Sequence, residues 1–191
     1  MKKIGILLGF LPLVVYGILA GIFVSSVIIA LAAATAVTLI FGWADLKKRM
    51  ILSWANLVMF GGVFVAVGIL GMTRIIPYMD VLIYTTLTIV ASASLLAGKP
   101  FTLQYAREMV DKALWENPGF IRVNILITSV WDGVFLLNLG LTAIVLLNLG
   151  FIGRIAQLLT YAVLMAGIIF TLWYPDYVRK KYTIAKSPYT V

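Results

Sequence analysis

The sequence predicts an all-α membrane protein, a polytopic bundle of six transmembrane helices with both termini in the cytoplasm. The chain is 63% hydrophobic and its mean hydropathy is +1.08, whereas soluble domains are nearer half apolar. Its uncharged stretches are long enough to cross a bilayer. Its basic residues cluster on one side of the predicted membrane. We therefore expect the 191 residues to form a single integral membrane domain.

The first two spans are predicted from an uncharged stretch between Lys3 and Asp45. As one helix its 41 residues would be about 61 Å long, roughly twice the ~30 Å thickness of a bilayer core. The stretch must therefore cross the membrane twice. The glycines of segment 17–21 offer one position for the turn, and Ser25-Ser26 offers a later one. We place the turn at the serines, because the first helix is then long enough to span.

The remaining spans are separated by charged or proline-containing segments. The last one is predicted to end at Pro175, and residues 182–191 are predicted to be a disordered tail. The six predicted spans cover residues 4–24, 27–43, 51–72, 81–98, 123–149 and 155–174.

Six crossings place both termini on one side, and the basic residues agree with this arrangement. Of the 15 basic residues, all but Arg74 and Arg154 fall on the terminal side. These are Lys2, Lys3, Lys47, Lys48, Arg49, Lys99, Arg107, Lys112, Arg122, Arg179, Lys180, Lys181 and Lys186. Such asymmetry is the positive-inside pattern of a plasma (inner) membrane protein with cytoplasmic termini. No cleavable signal is apparent.

The position of most basic residues on one side of the predicted membrane also explains the formal net charge of +8. We attribute it to topology and to contact with anionic lipid headgroups, and we expect no nucleic-acid partner.

The absence of histidine and cysteine restricts the chemistry that the protein could perform. It excludes disulfides, thiolate nucleophiles and iron-sulfur clusters, and it removes haem and most zinc sites. No phosphate-binding loop or nucleophile motif is present. We therefore expect no catalytic residue, no metal site and no cofactor.

Asp132 is the one acidic residue inside a predicted apolar span. A carboxylate there costs about 2.5–3.5 kcal/mol on insertion scales, so some interaction must offset it. Asn124 and Thr128 lie eight and four residues before Asp132 and form a polar stripe with it. The stripe leads from the cytoplasmic boundary to Asp132, which we place about 12 Å inside that boundary. One interpretation is a proton or cation site, or a gate, at the inner end of a cavity. The other is a structural carboxylate bonded to hydroxyls or paired with an arginine.

Candidate partners for Asp132 lie on the third and fourth helices. Thr85, Thr88 and Ser92 form a second polar stripe at helical spacing, and Asn56 is a further candidate. These side chains could line a path through the membrane. They could equally form hydrogen bonds between helices.

The connection between the fourth and fifth spans has an amphipathic pattern. We predict an interfacial helix over residues 102–116, with Arg107/Asp111 and Glu108/Lys112 as pairs four residues apart on its polar face. The alternative is a docking surface for a cytoplasmic partner.

Several short motifs resemble the intracellular septation protein A family, which consists of bacterial inner-membrane proteins of similar length. They are residues 9–15 (GFLPLVV), 34–43 (ATAVTLIFGW) and 59–64 (MFGGVF), Lys99-Pro100, and Trp131 followed by Phe135. The resemblance extends over most of the chain, but the first hairpin turn, segment 99–122 and Asp132 depart from the family pattern. It implies a polytopic protein of cell-envelope maintenance and division, with no catalytic residues to carry over.

Two functions therefore remain as expectations. The first is a non-catalytic envelope protein that contacts lipids and other membrane or division proteins, with oligomerisation also open. The second is a small proton- or cation-coupled transporter or channel that uses Asp132.

The predicted topology can be tested by labelling, because the chain has no native cysteine. A cysteine introduced as Lys3→Cys should be protected from a membrane-impermeant maleimide in intact cells and should react after permeabilisation. Reaction from outside alone would overturn the six-span arrangement.

Overall fold

A computed structural model describes residues 8–22, 27–147 and 149–185, and every regular element in these ranges is helical. The helices are α1 (Leu11–Ile22), α2 (Val27–Ile40), α3 (Trp43–Lys47), α4 (Ile51–Gly68), α5 (Met79–Leu96), α6 (Phe101–Arg107), α7 (Pro118–Leu146) and α8 (Phe151–Ala185). Short 3₁₀ helices cover Thr73–Tyr78 and Lys112–Leu114. The predicted all-helical class is confirmed.

Within these ranges, four helical segments are long and apolar enough to cross a membrane. They are Ile51–Gly68, Thr73–Leu96, Pro118–Leu146 and Phe151–Lys181. They correspond to the third to sixth predicted spans and indicate a membrane protein.

The first two apolar helices are shorter. α1 has 12 residues and α2 has 14, which correspond to about 18 and 21 Å of helix. The two helices pack against each other as a hairpin. The turn predicted at Ser25-Ser26 lies outside the described residues.

α4 contains a feature that its hydropathy does not predict. Residues Leu57–Gly61 form a π-helical turn between two α-helical parts. The helix ends at Gly68, before the predicted end at residue 72, and Gly71 follows with a φ of +67°. Glycine adopts this left-handed conformation without steric cost, so the chain can leave the helix there.

The start of α7 matches the local sequence signal. The Asn117 side chain accepts hydrogen bonds from the backbone N–H groups of Gly119 and Phe120, at 2.8 and 3.2 Å, and Pro118 occupies the first turn. This is the usual arrangement of a capping asparagine followed by proline.

The end of α8 differs from the prediction. The helix continues through Pro175 to Ala185, so residues 182–185 are helical, and only 186–191 of the predicted tail lie outside the described residues. Two stacked aromatic pairs, Phe170–Tyr174 and Trp173–Tyr177, each have ring centroids 5.0 Å apart. Such pairs four residues apart stabilise a helix, and the second of them bridges the proline.

The predicted interfacial helix over 102–116 is also not continuous. α6 ends at Arg107, and a separate 3₁₀ turn follows after Asp111. Phe101, Thr102 and Tyr105 of α6 are buried, because the helix packs against the start of α7. The segment therefore belongs partly to the protein interior.

The ion pairs of this segment differ from the predicted pairs as well. Lys48 donates a hydrogen bond to Glu108, and Arg107 pairs with Glu116 at 3.2 Å. The first of these contacts connects the α3–α4 turn to the end of α6.

The aromatic core centres on Trp131 of α7. Its ring stacks on Phe10 with centroids 4.8 Å apart and lies 5.3 Å from Phe135. Its indole N–H donates to Thr171 Oγ1 of α8 at 2.9 Å. A Cβ added at Gly167 would lie 3.4 Å from the indole, so this glycine lets α8 approach closely. One side chain thus joins α7, α8 and the segment that precedes α1.

This core yields a matched pair of tryptophan substitutions. Trp131→Ala should destabilise the protein by about 3 kcal/mol, because it empties a packed interior site and leaves Thr171 without its donor. Trp43→Ala removes a tryptophan that is 55% exposed and whose ring contacts the Lys47 ammonium, so it should change stability by no more than about 1 kcal/mol. Denaturant unfolding of the two variants in detergent would measure the difference, and equal losses would contradict the assigned core.

Candidate functional site

Asp132 lies at the middle of α7, fourteen residues from either end of the helix. Ser92 Oγ of α5 donates a hydrogen bond to Asp132 Oδ1 at 2.8 Å. Both side chains are half-buried, whereas the adjacent Ser129 and Gly133 of α7 are exposed. The carboxylate therefore lies at the edge between the α5–α7 contact and the outer surface of the bundle.

The other two members of the Asp132 stripe bond elsewhere. Thr128 Oγ1 lies 2.8 Å from Thr102 Oγ1 of α6, and the Thr102 hydroxyl also lies 3.0 Å from the backbone oxygen of Asn124. The Asn124 side chain donates to the carbonyl of Phe120 at 2.9 Å. Asn124 and Thr128 are buried, and the Thr128 hydroxyl and the Asn124 backbone oxygen fix α6 on α7.

Thr88 and Thr85 do not share the role of Ser92. The Thr88 hydroxyl is buried without a hydrogen-bond partner in the described part of the protein, and Thr85 is half-buried on the same helix.

Asn56 belongs to a different region of the fold. Its side-chain amide donates to the backbone oxygen of Gly9 at 2.8 Å and is buried. It joins α4 to the segment before α1.

Asn138 is a polar core residue that the sequence reasoning missed. Its side chain is fully buried, and neither its amide nitrogen nor its carbonyl oxygen has a partner among the described residues. It lies seven residues after Trp131, on the same inward face of α7. Asn138 lies on the same helical stripe as Asn124, Thr128 and Trp131, at spacings of four, three and seven residues. Extending that stripe would have predicted Asn138 as a buried polar residue.

A cavity of about 330 Å³ lies where the α2–α4 connection meets α6 and the start of the described chain. Its apolar lining includes Leu8, Leu11, Pro12, Val37, Phe41, Ala44, Met50 and Met109. Its polar lining includes Thr38, Asp45, Lys48, Ser53, Asn56, Tyr105 and Glu108. Asn56 is the only predicted site residue among these lining residues, and Asp132 is not one of them.

The polar side of this cavity contains a chain of side-chain contacts. Ser53 Oγ lies 3.3 Å from the Tyr105 hydroxyl and donates to Asp45 Oδ2 at 3.5 Å. Burial raises the pKa of the Asp45 carboxyl above its usual range and raises the pKa of Tyr105 to about 12. Glu108 also raises the pKa of Asp45, whereas Lys48 and the Ser53 hydrogen bond act in the opposite direction. Asp45 is thus a partly desolvated carboxylate with one long hydrogen bond.

Comparison with protein-family models, with curated proteins and with solved structures finds no match for this chain. Among the described residues there is also no group of three or more carboxylate, histidine or cysteine side chains that could hold a metal ion.

The unpaired amide of Asn138 leads to a stability prediction. A buried amide without partners costs about 1–3 kcal/mol, so Asn138→Val should raise the thermal unfolding midpoint. Thr128→Val should lower it, because this variant removes the hydroxyl that contacts Thr102 between α6 and α7. The two midpoints can be compared in the same detergent. A lower midpoint for Asn138→Val would contradict the prediction, because it would show that the Asn138 amide has a hydrogen-bond partner in the folded protein.

Proposed function

We propose that the protein is a non-catalytic integral membrane protein of the septation and envelope-maintenance type, which acts through contacts with other proteins inside the membrane. We further propose that it crosses the plasma (inner) membrane six times with both termini in the cytoplasm. The Asp132–Ser92 pair at the outer edge of α5 and α7 carries the functional proposal.

The energetics of this pair favour a partner. A carboxylate at mid-helix depth costs about 2.5–3.5 kcal/mol in a bilayer. A hydrogen bond between transmembrane helices recovers only about 0.6 kcal/mol on average. In the part of the chain that the structure describes, Ser92 is the one residue that donates to Asp132, and the carboxylate lies half-buried beside exposed Ser129 and Gly133 with further acceptor sites. A polar transmembrane helix that packs there would provide the missing donors.

The sequence resemblance supports the biological setting of this proposal. The motifs shared with the septation family lie at the structural centre, since Phe10, Trp131 and Phe135 form the aromatic core. The buried side chains of Asn56 and Thr128 form contacts between elements of the fold.

A proton- or cation-coupled transporter is the second candidate. The buried Thr88 hydroxyl and the Asn138 side chain have no partner in the described ranges. They lie within two helical turns of Ser92 and Asp132 on the same two helices. Polar groups of this kind could line a path for a proton or cation.

Site-specific photo-crosslinking tests the contact function. A photoreactive side chain at Ser129, beside Asp132, should capture a membrane protein in cells, and the same probe at Leu158 on the exposed side of α8 should not. Asp132→Asn should reduce capture at Ser129 by about tenfold, because an amide is a weaker acceptor than a carboxylate. Mass spectrometry of the captured species should identify division or envelope proteins. Capture that is the same at both positions, or insensitive to Asp132→Asn, would contradict the proposal.

Flux through proteoliposomes separates the two candidates. If the protein acts by contact, the native protein, Asp132→Asn and the control Ser129→Ala should all show the same flux for each ion, or none should show any flux. A flux that Asp132→Asn alone abolishes would instead establish transport.

A further inference from the structure

We propose that the cavity beside Asp45 binds a phospholipid whose headgroup carries a primary ammonium group, such as a phosphatidylethanolamine. The site is separate from the Asp132 face and does not depend on the function proposed above.

The lining of the cavity is amphipathic. α1 and the end of α2 supply the apolar side through Leu11, Pro12 and Val37, while Asp45, Lys48 and Glu108 carry the charges on the polar side. A ligand that fills it must therefore combine an apolar part with a charged group.

The position of the cavity fits the headgroup region of a bilayer. Phe41 at its edge is 71% exposed, and the nearby Trp43 is 55% exposed. Exposed aromatic side chains next to a basic run are typical of helix ends at the membrane interface. A lipid headgroup reaches this depth without leaving the bilayer.

The charges favour an ammonium group. Two carboxylates and one ammonium line the cavity, and the Lys48 ammonium already bonds to Glu108. Among the described residues, the Asp45 side chain receives a single hydrogen bond, the 3.5 Å contact from Ser53, which leaves most of its acceptor capacity for a ligand. A primary ammonium offers three N–H donors to such a carboxylate, whereas a choline headgroup offers none.

The remaining polar groups leave Asp45 as the principal recognition element. Thr38 donates to the Ala34 carbonyl, Asn56 donates to the Gly9 carbonyl, and Ser53 and Tyr105 contact each other. Burial raises the pKa of Asp45 because it removes water from the charged carboxylate. A cation bound beside the carboxylate would offset that cost in free energy. Lys48 and the adjacent Lys47 and Arg49 would attract the lipid phosphate.

Native mass spectrometry of delipidated full-length protein tests this site. The protein is incubated with phosphatidylethanolamine, phosphatidylcholine or phosphatidylglycerol of identical acyl chains. We expect phosphatidylethanolamine to bind about tenfold more tightly than the other two, and Asp45→Asn to remove this preference. Asp111→Asn is the matched control, because Asp111 is an exposed acid outside the cavity whose capping contact an asparagine can replace.

A second variant guards against a folding defect in Asp45→Asn. Val37→Phe keeps every charge and enlarges a half-buried side chain that lines the cavity, so it should abolish phosphatidylethanolamine binding while the unfolding midpoint stays near that of the native protein. Equal binding of the three lipids, or binding that persists in Asp45→Asn or in a folded Val37→Phe, would overturn the proposal.

One further arm distinguishes a lipid from a soluble amine. Phosphoethanolamine has the same ammonium and phosphate but no acyl chains, so it should fail to displace the bound lipid at millimolar concentration. Full displacement would show that the site recognises a soluble amine, and no binding of any added lipid would show that the cavity is filled by the chain itself.

Discussion

The packing of α7 against its neighbours is the interaction on which the rest of the fold depends. Trp131 bonds to α8 and stacks on Phe10, Thr128 meets α6 through Thr102, and Asp132 receives the hydrogen bond from α5. These four contacts come from three side chains within the five-residue segment 128–132, on adjoining faces of a single helix. Because water is absent from the bilayer core, a polar group there must find its partner within the protein or in another helix. α7 meets this requirement at Thr128, Trp131 and Asp132, whose side chains bond to three different neighbouring helices.

The parts of the fold that follow from local chemistry could be predicted from the sequence. Hydropathy located the four long apolar segments, and the Asn117-Pro118 pair marked the start of α7. The prediction at Pro175 was wrong, since α8 runs through the proline to Ala185, and the local sequence does not show that aromatic pairs stack along the helix on both sides of it. The continuous helix over 102–116 was wrong because amphipathic spacing does not reveal that Phe101 and Tyr105 are buried against the protein.

The candidate sites show the same division between local and long-range information. Helical spacing correctly placed Ser92 among the possible partners of Asp132, and the structure brings the two together. Spacing alone could not show that the Thr128 hydroxyl and the Asn124 backbone oxygen contact Thr102, because that contact depends on how α6 folds back. The cavity beside Asp45 was beyond sequence reasoning, since its lining comes from positions as far apart as Leu8 and Met109.

The π-helical turn of α4 has a consequence for how the chain tolerates length changes. A π turn holds one more residue than an α turn, so losing one residue from Leu57–Gly61 would restore a regular α-helix. Because the π turn takes up its additional residue within one turn, the two halves would keep nearly the same rotation about the helix axis. The first half is fixed by the Asn56 bond to Gly9, and the second half packs against α2 with Val67 buried. Both contacts would then be kept, whereas losing a residue from a regular α-helical part of α4 would rotate one half by about 100° against the other and break one of them.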